Sequence, residues 1–342
     1  MLRTALCDLL GIDLPIFSVG FGEGAGPELA AAVSNAGGCG VLGFSSVPPD
    51  EIERRSAQTR ALTDRPFGAN IIIAAFDHPD ATEAIRADVR ARIATIVTAQ
   101  VPLLVLFWGD AAPFVDEAHA GGVRVALQVG SVDEAERAAE AGVDAVIVQG
   151  VEAGGHVKAT ASLWDVLPRA AEAIAPTPAI ASGGIGDGAA IARALAAGAQ
   201  GVSLGTRFVA SEEAWFHPMH KRRVVESTGE DTVYSDLYDA WWPGAPHRTL
   251  RNKTFQEWEA AGRPPPGRRP GEGTSIGSRR LPSGEVQEWP RYAVGAIPPT
   301  FEGDLERVPM LVGESCSVVN DIKPAAQIVR DLAHDAEATL AT

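Results

Sequence analysis

Cysteine, methionine and tyrosine are scarce in this chain of 342 residues, with three of each. Cys7, Cys39 and Cys316 are far apart and form no CxxC or Cys/His cluster, so neither a disulfide framework nor a structural zinc site is indicated, and no metal is expected. Basic residues are also short. The 29 Lys plus Arg against 44 Asp plus Glu leave a formal charge of −15, which argues against a surface built to neutralise nucleic-acid phosphates. No apolar run approaches the roughly 18 residues of a membrane span. The opening MLRTALCDLLGIDLP is interrupted by Asp8 and Asp13 and lacks a small-residue cleavage pattern. The expectation is a soluble, unprocessed cytoplasmic protein without nucleic acid or membrane as partner; a homodimer is compatible with it.

What is abundant is short apolar runs separated by glycine. From residue 14 to about 205, eight runs alternate with Ala-rich segments of helical period: LPIFSV (14–19), GVLGF (40–44), FGANIII (67–73), PLLVLFW (102–108), RVALQV (124–129), AVIVQ (145–149), PAIAS (178–182) and GVSLG (201–205). Helices are predicted near 27–36, 49–62, 80–98, 112–120, 132–141, 163–174 and 187–197, with Ser131 and Asp187 as N-cap candidates. Continuous apolar strands are buried on both faces and therefore usually parallel. Eight of them predict a closed (β/α)8 TIM barrel, because an open doubly wound sheet, the alternative, would leave two edges to protect.

After GVSLGTRF the pattern changes. Residues 211–295 hold five of the seven tryptophans and the triple proline of 264–266, and His247 to Arg291 carries nine Lys plus Arg against five Glu. The predicted organisation is a barrel over 1–210, an inserted cap over 211–295, and a return segment over 296–342 with a final helix near 322–340. A cap over the barrel mouth would bring Trp241, Trp242 and neighbouring positive charges to an anion-tolerant pocket. A solvated surface excursion is the plainer alternative.

In such barrels the active site lies on the loops after the strand C-termini, and phosphate is commonly held after strands seven and eight. Here those loops read SGGIGDG (182–188) and LGTRF (204–208). Gly183 and Gly184 would let backbone N–H groups approach an anion, and Thr206 beside Gly205 adds a hydroxyl. Glycines also simply make tight turns. Gly184, Gly186 and Ala189 have GxGxxA spacing, but the next strand ends without the acidic residue a ribose would need. After strand six, His156 follows the Gly154–Gly155 pair at the predicted mouth. There a neutral imidazole would suit a general base near pH 7. His78, after strand three, is a weaker candidate.

LPIFSVGFG, FGANI, VIVQGVEAGGH, IASGGIGDG and GVSLGTRF, in this order, resemble the nitronate monooxygenase family, formerly called 2-nitropropane dioxygenases. The resemblance covers nearly the whole chain. It implies a TIM-barrel flavoprotein with non-covalent FMN, akin also to NADH-dependent flavin enoyl-thioester reductases. Under it, Gly20 and Phe21 would lie along the isoalloxazine, and Asn70 would bond the flavin. Gln128 and Gln149 would sit near the ribityl chain or ring edge. Gly183, Gly184, Gly205 and Thr206 would take the phosphate, with Ser182, Gly154 and Gly155 also at the cofactor, and His156 would face the substrate. The chain departs from the family at Gly20-Phe21, where a Pro-Met pair is common, at Lys158, where a glycine is, and at LVGES (311–315), where a YAGQS-like stretch is.

The implied reaction is oxidation by O2 of an alkyl nitronate, or of a nitroalkane first deprotonated by His156, to a carbonyl compound and nitrite. One rival is NAD(P)H-dependent reduction of enoyl thioesters or similar electron-poor alkenes. Another is a flavin-free barrel that binds a phosphorylated metabolite, although no strand end carries a Schiff-base lysine.

Overall fold

The computed structural model describes residues 2–45, 47–280 and 284–342. The eight apolar runs form parallel strands β1 (Ile16–Ser18), β2 (Val41–Gly43), β3 (Gly68–Ile72), β4 (Leu103–Phe107), β5 (Arg124–Val129), β6 (Ala145–Gln149), β7 (Ala179–Ser182) and β8 (Gly201–Leu204). Nearly every residue in them is buried, as strands covered on both faces require. Each pairs with its chain neighbour from β2 to β8, and β8 returns to β1 with Val202 opposite Ile16. The seam between β1 and β2 is spanned by a bridge from Phe17 to Cys39, where the Ser18 amide donates to the Cys39 carbonyl and the Cys39 amide to that of Ile16. The architecture is the predicted barrel and not the open sheet.

The intervening helices are α1 (Pro27–Asn35), α2 (Pro49–Leu62), α3 (Glu83–Thr98), α4 (Ala112–Ala120), α5 (Val132–Glu140), α6 (Leu163–Ala173) and α7 (Gly188–Ala196). Ser131 and Asp187 cap α5 and α7 as expected, accepting from the Glu134 and Ala190 amides. The last helix, α8 (Ala325–Leu340), starts after Pro324 and packs between α7 and α1, completing the ring. No helix among the described residues is long and apolar enough to cross a membrane.

The opening segment does more than its composition indicated. It forms a helix, Ala5–Leu10, whose Leu6 and Cys7 pack with Phe17, Val41, Val105 and Ile147 inside the barrel. This plug fills the interior from the N-terminal side, so open space remains at the other end.

Residues 211–295 contribute helices Pro218–Glu226 and Lys253–Ala260 and two small antiparallel sheets. In one sheet, His247–Leu250 lies between Thr232–Ser235 and the two-residue strand Gly155–His156. In the other, Ser275–Arg280 lies between Val286–Pro290 and Glu302–Gly303, so pairing runs across residue 295. Leu281, Pro282 and Ser283, within the expected cap, lie outside the described residues.

Gly40 marks the tightest approach of helix to barrel, since a Cβ there would stand 2.0 Å from the Ala30 carbonyl oxygen in α1. Backbone cannot yield as a side-chain tip can. Gly40→Ala is therefore expected to lower unfolding free energy by about 2 kcal/mol or more. Urea denaturation checks this, and an unchanged midpoint would contradict the packing described.

Candidate active site

The C-terminal ends of the strands surround a cavity of about 360 Å³. All thirteen residues expected at the catalytic and cofactor positions line it. Gly20 and Phe21 follow β1, Asn70 lies on β3, Gln128 on β5 and Gln149 on β6; Gly154, Gly155 and His156 come next, then Ser182, Gly183 and Gly184 at β7, and Gly205 and Thr206 after β8. Gly20 has a steric reason. Its Cβ would fall 2.6 Å from both the Asn70 Cβ and the Leu42 carbonyl oxygen, so only glycine lets the β1 loop lie flat on the mouth.

Gly183 and Gly184 both adopt left-handed backbone, with φ of +101° and +68°. A Cβ on Gly183 would press on Ala153, and one on Gly184 on Glu152, at 3.1 and 3.2 Å. The concave rim is thus kept by glycine. Beside it, the Thr206 hydroxyl accepts from the Gly313 amide at 2.9 Å, leaving its own proton for another acceptor. Arg207 turns away and is ion-paired to Asp321. No Lys or Arg among the described residues lines this edge, so an anion held here would meet neutral donors only.

His156 owes its position to two clamps. The Gly155–His156 strand pairs with His247–Arg248, and the Gln149 amide donates to the His156 carbonyl while accepting from the Lys158 amide, both at 3.0 Å. Gln149, expected near a cofactor's ribityl chain or ring edge, thus spends both ends of its amide on this loop. The imidazole lies 4.3 Å from the Trp242 ring and is approached edgewise by Trp108 and His247 at 6.5 and 6.0 Å. Its Nε2 is buried without a hydrogen-bond partner. Burial, helped by the neighbouring His247, pushes its pKa down to about 3, so the ring is neutral at ordinary pH. His247 is itself held neutral, with Nδ1 donating to the Ala245 carbonyl and Nε2 accepting from the Tyr238 amide. Trp108, directly after β4, has a φ of +65°, a strained conformation for a bulky residue and one found most often at functional sites.

The departures from the family pattern have separate fates. Lys158 points away to Glu134 at 2.7 Å. The 311–315 segment comes to the cavity, with Leu311 and Ser315 in its lining. His220, fully buried, donates through Nε2 to the Leu311 carbonyl at 3.3 Å, and burial pushes its pKa down to about 4. His78 is exposed near Asp80 and lies outside the cavity, which removes it as a candidate. Trp241 and Trp242 line the cavity, but of the positive charges in 211–295 only Arg279 does, and it is paired to Glu23. Sequence reasoning missed Glu23, Arg279, Phe216 and Ser203. Only Ser203 carried a signal, as a polar residue inside an otherwise apolar strand.

Fold and site together define a TIM barrel with a glycine-lined rim after strands seven and eight and a buried neutral histidine at its mouth. A family model described as nitronate monooxygenase matches residues 3–335. The chain is 36% identical over 261 residues to a Rhodococcus jostii protein named (3aS,4S,5R,7aS)-5-hydroxy-7a-methyl-1-oxo-octahydro-1H-indene-4-carboxyl-CoA dehydrogenase, covering 76% of this chain and 69% of that one. It is 33% identical over 272 residues to a nitronate monooxygenase of Paraburkholderia phytofirmans, covering 68% and 73%. Among solved structures, FabK of Thermotoga maritima superposes with a TM-score of 0.78 at 29% identity over 100% of this chain and 98% of that one. The nitroalkane oxidase of Streptomyces ansochromogenes does so with a TM-score of 0.75 at 26% identity over 98% and 99%. The chain belongs to the nitronate monooxygenase family, whose members are flavin-dependent oxidoreductases.

The buried neutral histidines make stability acid-sensitive. His156 and His220 have folded pKa values near 3 and 4, against an unfolded value of 6.5. Below 6.5 the unfolded chain takes up protons that the folded one refuses, so this stabilisation is complete above about pH 6.5 and is lost as pH falls toward 4. The thermal midpoint should decline steadily between pH 7 and 4.5, before most carboxylates titrate. A midpoint constant across that window would contradict neutral burial.

Proposed function

We propose that this chain binds FMN non-covalently in the cavity and uses O2 to oxidise alkyl nitronates to carbonyl compounds and nitrite, with His156 handling the proton. The observation that carries this reading is the buried, unpartnered Nε2 of His156 on the same cavity as the glycine cradle.

The residues present fit FMN. The peptide groups of Gly183, Gly184 and Gly205 with the hydroxyls of Ser182 and Thr206 suit a phosphate, at the place where barrels of this kind hold one. Gly20 and Phe21 would flank the ring, Asn70 would bond it, and Gln128 would reach the ring edge or ribityl chain. Bound there, FMN supplies the electron transfer between substrate and dioxygen. We further read residues 1–210 as the cofactor barrel, 211–295 as a cap and 296–342 as the return to it. The presence of Trp241, Trp242 and Arg279 in the cavity lining supports the cap.

The chain's own share is binding and proton handling. A ring with a pKa near 3 is a weak base, so removing a proton from a neutral nitroalkane is uphill. A nitronate has already lost that proton. Its negative charge beside the imidazole favours imidazolium and draws a proton from solvent onto the ring, giving a charge-assisted hydrogen bond to the nitro oxygens. Nitronates are therefore the better substrates.

A second reading is NAD(P)H-dependent reduction of an enoyl thioester. It is favoured by the relative named for a carboxyl-CoA substrate, which is more identical to this chain than the nitronate monooxygenase above. Anaerobic mixing with NADPH and with nitronates separates the two, since the substrate that bleaches the flavin quickly identifies the reaction.

Purified protein should be yellow and release FMN, not FAD, on denaturation; colourless protein that FMN cannot reconstitute would overturn the proposal. His156→Ala should retain FMN, because the phosphate residues lie on other loops. It should lose activity on neutral nitroalkanes by roughly 10² to 10⁴ and on preformed nitronates by less. Equal losses on both would leave His156 only its hydrogen bond to the nitronate and no role as a base, and an unchanged rate on nitroalkanes would remove it from the mechanism.

A further inference from the structure

The formal charge lining the cavity is confined to one pair. Among the described residues, Arg279 is the only Lys or Arg in the lining and Glu23 the only Asp or Glu. They meet across the mouth: Arg279 Nη1 donates to Glu23 Oε2 at 2.9 Å, tying the strand Ser275–Arg280 to the turn after β1. Arg279 is braced from behind, since its Nε donates to Gln287 Oε1 at 2.9 Å and its guanidinium carbon lies 5.4 Å from the Trp289 ring. Both partners are largely shielded from water, with side chains 16% and 26% exposed.

Consecutive tryptophans connect this pair to the reacting end. Trp242 lies against His156, and the Trp241 ring lies 5.9 Å from the Arg279 guanidinium carbon. A substrate with its reacting carbon near His156 and its substituent along Trp242 and Trp241 would reach toward Arg279. The other side chains lining the cavity include Phe107, Val294 and Leu311, all apolar.

A shielded guanidinium alone would select substrates with an anionic tail. Glu23 removes that preference, because a second anion must either displace a carboxylate already bonded to Arg279 or sit beside it, and like-charge repulsion then offsets the attraction. We infer that Glu23 sets the substrate class of this cavity. By neutralising Arg279 it makes the outer end accept bulky uncharged substituents, aromatic or alicyclic, and discriminate against tails ending in a carboxylate. The inference rests on the nitronate reading for the reacting group only; the tail preference belongs to the cavity and can be measured without turnover.

The test compares 4-carbamoylbenzoate (the amide) with terephthalate (the carboxylate), nearly equal in shape, each offering one carboxylate to the His156 end and differing by one charge at the other end at pH 7.5. Binding to the protein purified with its cofactor is followed by calorimetry. The wild type should bind the amide at least roughly tenfold more tightly. Glu23→Gln, which keeps shape and removes charge, should shift the ratio toward the carboxylate by roughly tenfold or more, and adding Arg279→Gln should abolish that shift. A wild type that prefers the carboxylate, that binds neither probe, or whose ratio is unmoved by Glu23→Gln would overturn the inference. The wild-type comparison stands even if Glu23→Gln does not fold. Turnover of phenyl-substituted and carboxylate-ended nitronates should follow the same order; preference for the amide with no nitronate turnover would sink the oxidation reading and leave the tail preference standing.

Discussion

The pairing of Gly155–His156 with His247–Arg248 is the interaction on which the rest of the site depends. It joins the loop after β6 to a strand roughly ninety residues later in the chain and sets His156 beneath Trp242 and beside His247. Arg248, in the same register, donates from Nε and Nη2 to the Val151 carbonyl and pairs with Glu314, so the loop after β6 and the 311–315 segment are held by one buried guanidinium. Without this pairing His156 would sit on a glycine-rich loop in water and titrate normally. With it, the ring is desolvated and held in a single charge state.

Division of labour follows from geometry. The β7 and β8 loops supply peptide groups, hydroxyls and left-handed glycines to the cavity, while Arg207 is turned away to Asp321, which suits a group held by many neutral donors. The β6 loop, the segment after β8 and the turn after β1 supply a histidine, tryptophans and a compensated ion pair, which suits a reacting anion with an apolar tail. The helix Ala5–Leu10 closes the opposite end with packed side chains, so the barrel has one mouth to serve both functions.

Much of this was legible in sequence. Continuous apolar runs can be buried only between helices, so the eight strands and their parallel order followed from residue type and spacing. Glycine pairs at SGGIG and EAGGH marked the close approaches, and all thirteen residues drawn from them and from the family resemblance reached the cavity. What stayed hidden has two physical causes. Six residues of helix at Ala5–Leu10 are too few to show a period, and their burial is decided by the barrel around them. Contacts such as Arg279 with Glu23, 256 residues apart, leave no local pattern because neither residue's neighbours change on pairing. Gln149 shows a further limit. Its place on β6 was readable, but its use as a clamp on the His156 loop depends on where two backbone groups fall in space.

The central claim is that His156 is kept neutral by its surroundings until an anionic substrate arrives. Nitrogen-15 NMR of the protein with labelled histidine measures this directly, by following the His156 ring nitrogens, assigned through His156→Gln, from pH 8 to 5. The account predicts neutral-imidazole shifts throughout in the free protein and movement toward imidazolium when a nitronate is added anaerobically. Ordinary titration near pH 6.5 in the free protein, or no response to the nitronate, would contradict it.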